Sequence, residues 1–219
     1  MKKLSPKGTA RAFTLIEVLV IVFTVVMIVA FLIPALVRDR RRARAVACSN
    51  NLKIVGLSFR IWNQNDAPYF PAQEYTNRGG IKEMVGTGQV FIHFRAMSNE
   101  LSTPKVLVCP RDKTKTVATN FAVGFSDKNV SYFVGTDADE TRPQMFMSGD
   151  RNLASQGQPI KPGLFVLATN NASLTWTKGL HHPCGNIGMA DGSVHYFDSE
   201  QLTAAAQNQG LATNLLAIP

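Results

Sequence analysis

Helical patterning runs from Phe13 to Trp62, and short apolar runs broken by turn formers fill the chain from Tyr69 onward. From Val18 to Val37 there are 20 consecutive uncharged residues, mostly Val, Ile, Leu and Phe. At about 1.5 Å of rise per residue such a run spans roughly 30 Å as a helix, the thickness of a bilayer's hydrocarbon core. A secretory signal would have a shorter apolar core followed by small residues. Here the far flank is Arg38-Asp39-Arg40-Arg41-Arg42, so the segment is expected to stay in the membrane. Pro34 removes one backbone donor and is expected to bend the helix locally. Further on, Ala45, Cys48, Leu52, Val55, Phe59 and Trp62 recur every three or four residues, which is one stripe of an amphipathic helix. Asn63-Gln64-Asn65-Asp66-Ala67-Pro68 collects turn formers and a proline, and the helix is expected to stop there.

From Tyr69 onward the pattern predicts strands at Val106–Cys109, Val130–Val134, Gln144–Met147 and Leu164–Thr169, while residues 89–101 fit helix or strand equally. The clearest hairpin is Asn186–Ala190, Asp191-Gly192, Ser193–Phe197, because Asp-Gly suits a two-residue turn that needs positive φ. The expected fold class is α+β: a long N-terminal helix, transmembrane in its first half, packed through Leu52, Val55, Phe59 and Trp62 on a small, mainly antiparallel sheet.

The formal charge of +8 changes meaning once it is placed along the chain. Residues 1–62 hold 11 basic side chains against Glu17 and Asp39, whereas the remaining 12 basic groups face 13 acidic ones. The globular part is therefore not a basic module of the nucleic-acid-binding kind, and Arg38 to Arg44 read as contacts to lipid head groups. Four basic groups precede the apolar run and five follow it, so the positive-inside count does not orient it. Cys48, Cys109 and Cys184 form neither a disulfide framework nor a zinc-type pair by spacing. A Cys109 bridge to Cys48 or Cys184 and small buried thiols are both left open.

Ala12-Phe13-Thr14-Leu15-Ile16-Glu17-Val18-Leu19 resembles the processing signature of type IV pilins and type II secretion pseudopilins. The resemblance implies that a prepilin peptidase cuts between Ala12 and Phe13 on the cytoplasmic side and N-methylates Phe13. Ala12 stands where the family usually has Gly. It further implies that Glu17, the fifth mature residue, neutralises the terminal amine of a neighbouring subunit, and that Pro34 is the family's helix-bending proline. Cys48-Ser49-Asn50-Asn51-Leu52-Lys53 and Val108-Cys109-Pro110-Arg111-Asp112 look like elements of a bacterial subfamily of such proteins. His181, followed by nine residues and Asp191-Gly192, is similar to that subfamily's H-x9-DG element, whose role the resemblance leaves unassigned.

No catalytic residue is expected: there is no Gly-x-Ser-x-Gly elbow, His-Glu-x-x-His helix or phosphate loop in the sequence. His181-His182-Pro183-Cys184 lacks a second ligand pair at zinc-like spacing and reads as a polar loop. Asp137, Asp139 and Glu140, with Asp127 or Asp150 as further oxygen donors, offer hard oxygens but not the frame of a calcium loop, so they read as a solvated turn. No cofactor is implied.

The expected organisation is a cytoplasmic leader (1–12), a transmembrane helix (13–37), an amphipathic helix (38–66) and a globular β-rich domain (67–219). The expected function is structural, as a non-enzymatic filament subunit of the bacterial inner membrane with its domain in the periplasm or outside the cell. Prepilin peptidase, other pilin or pseudopilin subunits, an assembly platform and membrane lipid are the partners implied by resemblance. Two rival readings stand beside it. A membrane-anchored enzyme requires a polar cleft near His181, His182 or Asp191, and a minor pilin that binds DNA requires a basic stripe on the domain.

Overall fold

Thr14 and Glu17 start the first helix. The Glu17 carboxylate accepts from the Thr14 backbone N–H at 2.7 Å, and the Thr14 hydroxyl stands 3.4 Å from the Glu17 N–H, the reciprocal arrangement of a capping box. Helix α1 is Leu15–Gln64. The computed structural model describes residues 14–64 and 69–219, without the side chains of 34–42 and 171. Ala12 and Phe13 lie outside the described residues, as does the side chain of Pro34.

The chain divides into two units, one ending at Ala43 and one running Arg44–Pro219. In the first, Leu15–Ile33 is a 19-residue apolar stretch with none of its residues buried. The second holds the folded domain. Within it Cys48, Leu52, Val55 and Phe59 are at most 1% exposed, and Ala45 and Trp62 are half-buried. The stripe read from the sequence is therefore the face that packs. Val55 and Phe59 join Phe70, Phe94, Met97 and Met147 in one core, and each such side chain taken out of water contributes about 1.5–3 kcal/mol.

The ambiguous segment 89–101 is helical, as α2 (Phe91–Ala96) and α3 (Ser98–Leu101). Nine strands follow among the described residues: β1 Tyr132–Gly135, β2 Phe146–Asp150, β3 Leu153–Ser155, β4 Gln158–Pro159, β5 Gly163–Ala168, β6 Leu174–Trp176, β7 Gly185–Met189, β8 Val194–Phe197 and β9 Thr213–Ile218. Helix α4 (Ser199–Gln207) lies between the last two strands in sequence. A six-stranded sheet has the order β5-β9-β1-β2-β7-β8, a three-stranded sheet the order β4-β3-β6, and every pairing is antiparallel. The fold is α+β, as expected.

Period-two alternation puts a core on each face of the larger sheet. On β1 and β2, Val134 and Met147 enter the core with α1, while Phe133 and Phe146 point the other way, toward Leu174, Trp176 and Leu202. Three expectations are corrected. Val106–Cys109 is not a strand: Thr103 caps a short 3₁₀ turn, Pro104–Leu107, with proline at its start, where its missing N–H costs nothing. The strands expected at Val130–Val134 and Gln144–Met147 begin two residues later, at Tyr132 and Phe146. The Asp-Gly hairpin closes through three residues rather than two. Met189 donates to Ser193 O, and Gly192, at φ 84°, donates to Met189 O, a type I turn followed by a glycine bulge.

His93, on α2, is 1% exposed, and neither ring nitrogen has a hydrogen-bond partner among the described residues. Burial pushes its pKa down from 6.5 to about 3, so the fold holds it neutral. Between those two values the unfolded chain takes up a proton that the folded chain refuses. Stability is therefore full above pH 6.5 and falls as pH drops toward 3, by about 1.4 kcal/mol per unit for this group. Denaturant unfolding of wild type and His93→Leu at pH 7 and pH 5 should differ in pH dependence by about 2 kcal/mol, with wild type losing more. Identical losses would place the imidazole's cost elsewhere.

Candidate functional site

Three of the short sequence elements meet at one buried point. Cys48 comes from the packed face of α1, Cys109 from the loop after the Pro104–Leu107 turn, His181 from the loop before β7, and Asp150 from the end of β2. All four are at most 1% exposed, and one ligand-type atom from each lies within 4.8 Å of the other three. Cys109 Sγ is 3.2 Å from His181 Nε2, Cys48 Sγ is 3.5 Å from Asp150 Oδ1, and His181 Nε2 is 4.0 Å from Asp150 Oδ2.

A second layer fixes these groups. The buried Tyr132 hydroxyl is 3.2 Å from Cys48 Sγ. Asn186 on β7 donates to Asp150 Oδ2 from its backbone at 2.7 Å and from its side chain at 3.0 Å. Arg111 Nη1 stands 3.4 Å from His181 Nδ1. The Cys109 loop is pinned by Asp112, whose N–H donates to Cys109 O and whose carboxylate takes Arg151 Nε at 2.8 Å. Burial alone would raise Asp112, but bonds from Arg151 and Thr114 hold it at about 2.

Electrostatics separates the two thiols. The neighbouring Cys109 sulfur, burial and the Asp150 carboxylate all push Cys48 up. Hydrogen bonding from Cys48 and then from His181 holds Cys109 down, against burial. Asp150 is raised to about 6, chiefly by burial, with His181 and Asn186 opposing. The cluster thus presents two sulfurs, an imidazole nitrogen and a carboxylate oxygen to one point closed off from solvent.

The other candidates lie elsewhere. All three cysteines are free thiols; Cys184 is half-buried, and His182 is exposed beside its buried neighbour. In the acidic loop, Asp137 accepts from Leu215 N, Asp139 from Thr141 N, and Glu140 faces Asn63 and Arg60, so the three carboxylates have separate partners. Asp127 accepts from Phe91 N at the start of α2. Glu17 is exposed in the apolar segment and bonded to Thr14.

Spacing along the chain did not group Cys48, Cys109, Asp150 and His181, which span more than a hundred positions. Each of the three quoted elements nevertheless carries one of the cluster's sulfur or imidazole donors, the one signal available before folding. Comparison with family models, with curated proteins and with solved structures finds no match.

The other half of the H-x9-DG element does a different job. Asp191 caps its turn by accepting from Ser193 N at 2.8 Å, and Gly192 lies against α1, so that a Cβ on Gly56 would meet Gly192 atoms at 3.5 Å. The turn thereby docks the helix that carries Cys48. Gly192, at φ 84°, sits where a side chain costs about 1–2 kcal/mol. Gly192→Ala should lower unfolding free energy by that amount and Gly192→Asn by less, since Asn tolerates the left-handed region. Equal stability of Ala and Gly at 192 would remove the turn from this role.

Proposed function

We propose that this chain is a membrane-anchored structural subunit of a pilin or pseudopilin type, assembling with copies or relatives into a filament. The observation that carries the reading is the Leu15–Ile33 helix, 19 residues of which all but Glu17 and Thr24 are apolar, with no side chain buried and a single carboxylate, Glu17, in its first turn. Such a surface is unstable in water and needs lipid or other apolar helices around it. A bilayer satisfies it first. Lateral packing of the same segment against equivalent helices would satisfy it in a filament, through a head-to-tail contact that does not close.

The resemblance of Ala12 to Leu19 supplies the rest of the proposal. Prepilin peptidase cuts before Phe13, the inner membrane holds the segment, and the folded domain lies on the periplasmic or outer side. Related subunits and an assembly platform then draw the chain into the fibre. Closure of the Cys48, Cys109, Asp150 and His181 cluster from solvent favours a structural domain over a membrane-anchored enzyme.

Intact-mass spectrometry of the membrane fraction should find a chain beginning at N-methylated Phe13. Finding only chains that retain Met1 or Lys2, in a host with active prepilin peptidase, would defeat the proposal.

Glu17 has two roles to separate, because its carboxylate also completes the capping box with Thr14. Glutamine at this position keeps the box but not the charge. Both Glu17→Gln and Glu17→Ala should insert and be cleaved, and both should enter sheared filaments about tenfold less than co-expressed wild type or worse, since the neighbour's cationic Phe13 amine is left unpaired in an apolar bundle. If Glu17→Gln assembles as wild type does and only Glu17→Ala fails, the residue works as a cap.

A further inference from the structure

The buried cluster brings together more ionisable groups than its hydrogen bonds can neutralise. Cys48, Cys109 and Asp150 are 0% exposed, and an ionised sulfur or carboxylate there needs a compensating charge. Arg111 does not supply it to them, because it faces the far nitrogen of His181. We propose that Cys48 Sγ, Cys109 Sγ, His181 Nε2 and an Asp150 carboxylate oxygen bind one divalent cation of the zinc class in a closed, four-coordinate structural site.

The donor set selects the cation. Two thiolates and an imidazole favour zinc-like ions over calcium or magnesium, which take oxygen ligands. Four protein donors with no open position mark a structural rather than a catalytic site. Tetrahedral bonds of about 2.0–2.3 Å set neighbouring donors about 3.3–3.8 Å apart. The separations are 3.2 Å for Cys109 Sγ to His181 Nε2 and 3.5 Å for Cys48 Sγ to Asp150 Oδ1, with every pair of ligand-type atoms inside 4.8 Å. Binding therefore needs side-chain adjustments of about an ångström or less.

The contacts of Asn186 and Tyr132 fit a loaded site. Asn186 holds Asp150 Oδ2 twice, which leaves Oδ1 facing Cys48 Sγ and fixes the carboxylate's orientation. The Tyr132 hydroxyl at 3.2 Å can donate to the Cys48 thiolate. As the two metal–sulfur bonds form, both thiol protons leave to solvent. His181 then carries its remaining proton on Nδ1. Arg111 donates to Nδ1 only while that nitrogen is unprotonated, so this half-exposed side chain turns outward on loading. The cation would tie together α1, the Cys109 loop, the end of β2 and the loop before β7, segments far apart in sequence.

The test uses the full chain purified in detergent, supplied with zinc and then washed, with metal counted by mass spectrometry and thiols titrated in denaturant. The expected result is about one zinc per chain, replaceable by cobalt(II) with the intense visible bands of tetrahedral thiolate coordination. Chelation should lower the Tm by about 8–16 °C. Cys48→Ser and His181→Ala should lose the metal, and Cys184→Ser, outside the cluster, should keep it. Three free thiols without metal in wild type would overturn the proposal in favour of a hydrogen-bonded cluster, and one free thiol would overturn it in favour of a Cys48–Cys109 disulfide. Zinc retained equally by wild type and both cluster variants would also overturn it. Stoichiometry and the cobalt spectrum are read on wild type, so a variant that fails to fold leaves the test standing.

Discussion

Burial of one face of α1 against the six-stranded sheet sets the positions of nearly everything else in the domain. Cys48, Leu52, Val55 and Phe59 lie along that face at no more than 1% exposure. Phe59 meets Phe70 edge to face at 5.2 Å between ring centres, within the range such pairs favour. Because side chains three and four positions apart share a face, the packing that buries Leu52 and Val55 also delivers Cys48 to the sheet. There Tyr132 and Asp150, on β1 and β2, are already placed by strand pairing. The same approach brings the Gly192 turn against the helix at Gly56, where a Cβ would stand in van der Waals contact with it at 3.5 Å. One hydrophobic contact thus positions both the Cys48 donor and the Asp-Gly half of the His181 element.

How much of this was legible follows from the range of the forces involved. The apolar segment and the stripe from Ala45 to Trp62 are local periodicities, and both are present in the structure as an unburied helix and a packed face. The hairpin at Asp191-Gly192 was visible for the same reason, although Gly192's positive φ serves a bulge after a type I turn instead of a two-residue turn. Val106–Cys109 misled because β-branched residues beside apolar ones mimic a strand, whereas Thr103-Pro104 imposes a capped turn. Helix α4 falls outside the elements expected from periodicity, yet Asp198 and Gln201 form a capping box ahead of Leu202 and Ala206, a signal the sequence carries. Strand β9 inserts between β5 and β1, a non-local pairing that no local pattern announces.

The site divides along the same line. Cys48, Cys109 and His181 each sat in a recognisable short element, but their meeting depends on the order of the sheet. Asp150 reads in the sequence only as a hard-oxygen donor that could join the acidic loop, whereas in the fold it stands at a strand end away from that loop, with two donors from Asn186. Spacing rules for metal ligands assume that pairs come from one turn or hairpin, and here each ligand-type residue comes from a different segment. Glu17 was legible as an outlier in apolar sequence. Its bond to Thr14 adds a local role that a charge-based reading did not contain.

These observations join in an account with two parts, a helix whose exposed apolar surface must be covered and a domain organised around a closed polar cluster. The claim on which the functional reading turns is that lipid is only the first cover for the helix and other copies are the second. A photo-crosslinking amino acid at Phe23, which is 64% exposed in the apolar segment, tests that claim directly in intact cells. The account predicts chain-to-chain adducts extending to a ladder of higher oligomers when prepilin peptidase is active, and their loss when it is absent. Adducts to lipid alone, unchanged by the peptidase, would contradict it.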